Sequence, residues 1–326
     1  MNRLHALRAH KGTAAALLLL AAVVLAWGGN PYVMSITIAA LVTGGVALAW
    51  ALLGNLGGMV SFGHAAFAGA GAYVSALCTL RLGVPVPAGI VLGALGAAIS
   101  ALAMLPALRL RGPYFALAIL AYAHIFKIIA TEWTSVTRGA AGLSGIPPLP
   151  VLPGLDAKAS ACLLAGLLVL AFALVYQFIR ASHAGLALRA MHASEDATRV
   201  LGVNSTLLKG MMLLVSAAMA GAAGAFNVHY IGFLEPDYAF GATWVTLPIV
   251  AAIFGGYRTL AGPVIGALAV SLADQLLFKE WLPTGHQFLL GVLLVAMILA
   301  SPGGLLPLAD KMLRRLRPSS QGDTHA

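Results

Sequence analysis

Read from its N-terminus, the chain alternates long apolar runs with short polar joints, and neither a period of two nor an amphipathic stripe dominates. About 20 apolar residues cross a bilayer as a helix. On that measure ten spans are expected, at roughly 13–28, 32–53, 64–81, 86–108, 113–131, 158–179, 207–231, 242–257, 261–278 and 286–306. Two joints are glycine-rich, near 54–63 and 255–266. A regular lipid-facing helix does not tolerate so much glycine, and irregular backbone at membrane depth belongs inside protein or beside water. Paired breaks in the two halves point to an internal repeat around a transport path. Small residues crowd the runs at 66–72 and 217–225, so the helices should pack backbone to backbone as one bundle.

Composition sharpens this picture. The 326 residues are 60% hydrophobic and only 9% charged, with a mean hydropathy of +0.94. A soluble domain carries about 25% charged residues. The fold class is therefore all-α, a polytopic membrane bundle of about ten transmembrane helices. Its single transmembrane domain covers 13–306, between a tail at 1–12 and another at 307–326. The net charge is +9, but no basic stripe with interleaved aromatics appears, which argues against nucleic acid. With the N-terminus inside, fourteen of the nineteen Lys and Arg fall on the cytoplasmic side, leaving Arg81, Lys127, Arg138, Lys158 and Lys279 outside. Both termini are then cytoplasmic. The basic start (Arg3, Arg8, Lys11) and the run Ala14 to Trp27 read as a retained first helix rather than a cleaved signal. Cys78 and Cys162 lie in apolar runs as small packing residues, and no metal-ligand spacing occurs.

Three segments carry candidate chemistry. In Gly54 to Tyr73, freed backbone amides with Ser61 and His64 would contact a polar solute or shape a gate; the alternative is a tight turn with a satisfied His. In Ser182 to Lys209, Ser194 can cap a short helix with Glu195 and Asp196 in its first turn, and Gly202 can end it. A loop that merely joined two spans would need no such caps, so a docking helix for a cytoplasmic partner competes with a helix lying on lipid. In Leu108 to Phe115 the two Arg can anchor the inner interface by snorkelling. Ionisable residues inside spans are few: His64, His124, Lys127, His229 and Asp274, of which Lys127, His229 and Asp274 fall near outer ends within reach of water. There is no GxxxxGK[ST], HExxH or GxSxG, hence no catalytic residue and no bound cofactor is expected.

These segments, in this order over roughly 30–306, resemble the permeases of branched-chain amino-acid ABC importers. Gly57 to Tyr73 (GGMVSFGHAAFAGAGAY) is close to the family's SFGHAAF segment, and Leu108 to Phe115 (LRLRGPYF) is similar to its LRGxYFA. Asp196 to Gly202 (DATRVLG) stands where such importers carry a variant of EAAxxxG. The chain departs from the family at Thr137 to Gly145, where a Thr-Gly-Gly stretch is frequent, and at Leu186, where a base is favoured and Arg189 is the next one.

The resemblance implies a coupling segment at 180–206 with Arg189, Glu195, Asp196, Ala197, Thr198 and Gly202 at the ATPase. It implies a path or gate at Gly57, Gly58, Ser61, Phe62, Gly63, His64, Tyr73 and Tyr114. It also implies the bacterial inner membrane, a second permease subunit, a periplasmic solute-binding protein, and two cytoplasmic ATPases that hold the ATP and Mg. Urea and short-chain amide permeases share the pattern. An ion-coupled secondary carrier, with Asp274 as its carboxylate, and a membrane subunit without transport are the readings from other classes.

Overall fold

The computed structural model describes residues 30–110, 112–283, 285–301 and 303–308. Nine apolar helices dominate the described residues: α1 (Pro31–Ala51), α2 (His64–Leu82), α3 (Val86–Leu102), α4 (Pro113–Glu132), α5 (Ala157–Ala181), α8 (Ser205–Ile231), α9 (Thr243–Gly255), α10 (Gly262–Ala273) and α11 (His286–Ala300). Between α5 and α8 lie two polar helices, α6 (His183–Ala193) and α7 (Glu195–Val200). With flanking turns included, seven helices among the described residues are long and apolar enough to cross a membrane; Val86–Leu102 and Phe288–Leu299 are apolar but shorter. Each of the nine lies within a few residues of an expected span, while 13–28 and the two tails fall outside the described residues. The protein is thus a multi-pass membrane protein of helical architecture.

Two helices form the axis. α1 and α8 are buried along most of their length, whereas α4 and α11 present Leu117, Ile125, Ile128, Phe288, Val295 and Leu299 outward. An apolar outer face with small residues at the crossings is the arrangement a bilayer permits, because lipid gives helices no hydrophobic reason to associate and close backbone contact must replace it. Here the contact is extreme. A Cβ on Gly71 of α2 would stand 2.3 Å from the Gly221 carbonyl of α8, and one on Gly93 of α3 would stand 2.6 Å from the Gly71 carbonyl. On Gly224 it would meet the Ala68 carbonyl at 2.1 Å. α2, α3 and α8 therefore cross at distances only glycine allows.

Three expectations change. The first glycine-rich break is shorter than 54–63, since α1 continues as a π-turn over Leu52–Leu56 before the backbone becomes irregular. The second is also shorter than 255–266: α9 stops at Gly255, Gly256 takes φ +106°, and the expected turn between the two spans ends where α10 begins at Gly262. The stretch between the spans expected at 113–131 and 158–179, the longest expected to be non-helical, has regular structure of its own. It holds a helical turn at Thr134–Thr137 and a strand β1 (Leu143–Ser144), paired antiparallel with β2 (Phe233–Leu234) just after α8. This bridge is a small exception to an all-α fold. Cys78 and Cys162 are free thiols, as their apolar surroundings led one to expect.

Candidate functional site: the glycine turn and the capped helix

The turn from Gly57 to Gly63 is built by glycine. Gly58 has φ +65°, and a Cβ there would lie 3.2 Å from Nδ1 of His192 on α6. Gly63 has no room for a side chain, because its Cβ would overlap Ile119 Cγ2 of α4 at 1.9 Å. Ser61 is fully buried; its carbonyl accepts from Trp50 Nε1 at 2.9 Å, and its hydroxyl accepts from the Gly63 amide at 3.2 Å. The turn is thus irregular backbone buried at Gly57, Met59, Ser61 and Gly63 and open at Gly58 and Val60, so it is packed on one side and borders a cavity on the other, a setting in which a membrane tolerates it.

His64 opens α2 and is buried, at 1% exposure. Its Nε2 is 3.0 Å from Ser216 Oγ on α8, and that hydroxyl donates to the Ala49 carbonyl of α1 at 2.8 Å. With its one proton committed to Ala49, Ser216 accepts from His64, so Nε2 carries the hydrogen. His64 Nδ1 is then a bare acceptor, and it has no partner among the described residues. The His therefore ties α1, α2 and α8 together at one point, with one acceptor unused.

The other two path candidates lie elsewhere. Tyr73 is nine residues along α2, about 13 Å at 1.5 Å per residue. It is buried, stacked on Phe240 at 5.9 Å, and its hydroxyl has no partner among the described residues. Tyr114 is 71% exposed in the first turn of α4 and is not gathered with the turn. Its neighbours Pro113 and Phe115 instead line a cavity of about 640 Å³, with Met59, Val60 and Phe62 of the turn and with Glu195 and Lys209 beside α7. The turn and the capped helix thus share one cavity.

The caps of the short helix are as expected, with one addition. Ser194 Oγ accepts from the Ala197 amide at 3.3 Å. At the other end Gly202 takes φ +86°, and its amide donates to the Arg199 carbonyl at 2.9 Å. Thr198 is buried, while Asp196, Ala197, Val200 and Leu201 face outward. Glu195 adds a clasp: its two oxygens accept from Arg199 at 2.9 Å and from Lys209 of α8 at 2.7 Å. The Lys209 hydrogen bond, aided by Ser205 and the positive charge of Lys209 and Arg199, holds the Glu195 carboxyl below the usual range against a smaller opposing cost of burial. Arg189 stands outside this helix, on the exposed surface of α6, where its guanidinium donates to the carbonyls of Gly185 at 3.2 Å and Arg180 at 3.4 Å at the end of α5.

Sequence reasoning passed over Trp50 and Ser216, whose hydrogen bonds hold the turn and His64, and His192, whose ring lies beside Gly58. Each sits in an apolar or polar run with no local motif, and only the packing of α1, α6 and α8 reveals its role. The reading of the intramembrane ionisable residues also changes. Lys127 pairs with Asp237 at 2.6 Å and His124 faces outward, but His229 and Asp274 are buried rather than within reach of water. His229 Nδ1 meets the Pro147 carbonyl at 2.7 Å and so must donate; its Nε2 accepts from Ser75 at 2.9 Å. Asp274 lies in a π-turn, 4.0 Å from His286 Nε2. No group of three metal-binding side chains occurs among the described residues.

The family described as branched-chain amino acid transport system / permease component matches residues 32–298, from α1 to the last turn of α11. The chain belongs to this family. It is 29% identical over 298 residues to the high-affinity branched-chain amino acid transport system permease protein LivM of Salmonella typhimurium, covering 82% of this chain and 68% of that protein. The LivM of Escherichia coli K12 is 28% identical over the same shares. The high-affinity branched-chain amino acid transport system permease protein LivH of Escherichia coli K12 is 30% identical over 130 residues, 40% of this chain and 41% of LivH. No solved structure is a significant match. The permease is thus a transport subunit whose glycine turn and capped helix both lie within the matched region.

Proposed function

We propose that this permease is one of two membrane subunits of an ABC importer in the bacterial inner membrane, moving branched-chain or other apolar amino acids inward. The observation that carries the proposal is the outward face of α7. Val200 and Leu201 are 88% and 82% exposed on a helix capped at both ends and projecting from a polar segment. Two apolar side chains held rigidly in water favour a complementary groove on another protein. Since the chain has no phosphate-binding loop, that protein is the ATPase, which holds the ATP and Mg. Two such ATPases, a second permease subunit and a periplasmic solute-binding protein complete the assembly. The basic excess between spans supports ten spans with both termini and α7 in the cytoplasm.

In this reading ATP-driven closure of the ATPases displaces α7. The motion then passes to the glycine turn, which with His64 forms the gate; the cavity lined by Glu195 of α7 and by Met59, Val60 and Phe62 supports this route. The test is co-purification in mild detergent of wild type against a Val200→Glu, Leu201→Glu double variant. Both positions are exposed, so the variant should insert normally. An ATPase recovered with wild type and lost from the variant is the expected result. A well-folded wild-type chain that recovers no ATPase would overturn the importer reading.

A further inference from the structure

α7 has six residues, packs beside α6, and buries only Thr198 among them. Along the chain it runs into α8 through Leu201 to Asn204, a link that includes the left-handed Gly202. Such a joint bends easily. α8, by contrast, is a 27-residue rod about 40 Å long. It is locked to α2 and α3 by glycine contacts, bonded to His64 through Ser216, and bonded to Pro147 and Ser75 through His229. A push on α7 reaches the bundle through α8 only if the joint between them is stiff.

The Glu195 clasp closes that joint. Lys209 stands one turn into α8, 2.7 Å from Glu195, and the two side chains are only 19% and 25% exposed. Arg199 takes the other carboxylate oxygen and donates through Nε to Ser205 Oγ at 2.7 Å, so α7 is fastened to the first turn of α8 at two points. An exposed pair would add almost nothing. Here one carboxylate accepts from two cations in a partly closed setting, the geometry in which charge-assisted bonds hold an orientation. Lys209 and Glu195 also wall the cavity that faces the glycine turn.

We infer that Lys209 is a positioning residue for coupling: through Glu195 it makes α7 and α8 one lever, so that displacement of α7 turns α8 instead of bending the link at Gly202. The inference rests on the importer reading for the source of the push, but the lever itself is a property of this chain.

The experiment pairs two measurements on Lys209→Met and Lys209→Arg. In the detergent-purified chain, amide exchange across 195–203 should speed up about tenfold in Lys209→Met and stay near wild type in Lys209→Arg, because a charge-assisted bond is lost in one and kept in the other. In the reconstituted complex, Lys209→Met should retain bound ATPase while uptake per ATP hydrolysed falls about tenfold, with Lys209→Arg within about twofold of wild type. Wild-type exchange in Lys209→Met overturns the lever. Faster exchange with unchanged uptake per ATP overturns its role in coupling. A wild-type complex that binds no ATPase defeats the importer reading and this coupling role together, while the exchange result still decides the lever.

Discussion

The crossing of α2, α3 and α8 and the short helix α7 are both essential joints, yet they are held by opposite means. At the crossing, the Gly71, Gly93, Gly221 and Gly224 backbones touch, and shape decides everything. At α7, Gly202 has no neighbour that a Cβ would meet within 4 Å, and caps and charges decide. A steric joint has one arrangement and resists change. A joint held by charges in a partly closed setting keeps its orientation but answers to pH and salt. The difference matches a rigid scaffold that receives motion and a surface element that delivers it.

The largest effect expected from this contrast comes from a single methyl group. Gly71→Ala puts a Cβ 2.3 Å from the Gly221 carbonyl, where backbone rather than a flexible side chain must move. A loss of about 3 kcal/mol is expected, since overpacking a close crossing forces whole helices apart. Thermal unfolding in detergent and folded yield measure it. Gly291→Ala is the control. It also lies within a helix, but its Cβ would meet nothing within 4 Å, so it should be neutral or slightly stabilising.

Next in size is the buried contact between α2 and α8. Ser216→Ala leaves both ring nitrogens of His64 without partners in a dry site, at a cost of about 1–3 kcal/mol. His64→Leu removes the ring instead, and Ser216 keeps its bond to the Ala49 carbonyl, so stability should change less. Uptake then separates packing from gating. We expect His64→Leu to keep its fold and lose transport; a variant that folds and transports normally would reduce His64 to a packing residue.

How much of this was legible beforehand follows from the same contrast. The apolar runs announce the helices because bilayer length imposes a long, simple pattern, and nine described helices fall where runs occur. The caps of α7 are local, so Ser194 and Gly202 could be read directly. The crossing was legible only as an excess of small residues; which glycine faces which depends on helix rotation, which an apolar run does not encode. The bonds from Ser216 to His64 and from Trp50 to Ser61 join residues 152 and 11 positions apart, and neither leaves a motif. Tyr114 failed for a related reason. Its segment pattern was clear, but the pattern says nothing about which side of α4 the ring takes.

The smallest effect is the most diagnostic of the adjustable joint. Glu195 is held below the usual carboxylate range, chiefly by the Lys209 hydrogen bond. A group whose folded value is depressed stabilises fully above its unfolded value, about 4.3 for Glu, and loses that contribution as pH falls through the lower folded value. The stability gap between wild type and Glu195→Gln should therefore be present at neutral pH, at about 0.5–1 kcal/mol for a part-exposed pair, and close on acidification below about 4. Amide exchange over 195–203 reads it locally, where the global unfolding transition is too coarse. Raised salt should shrink the same gap at neutral pH, whereas Gly71→Ala should keep its full cost at any salt, because a steric overlap has no charge to screen.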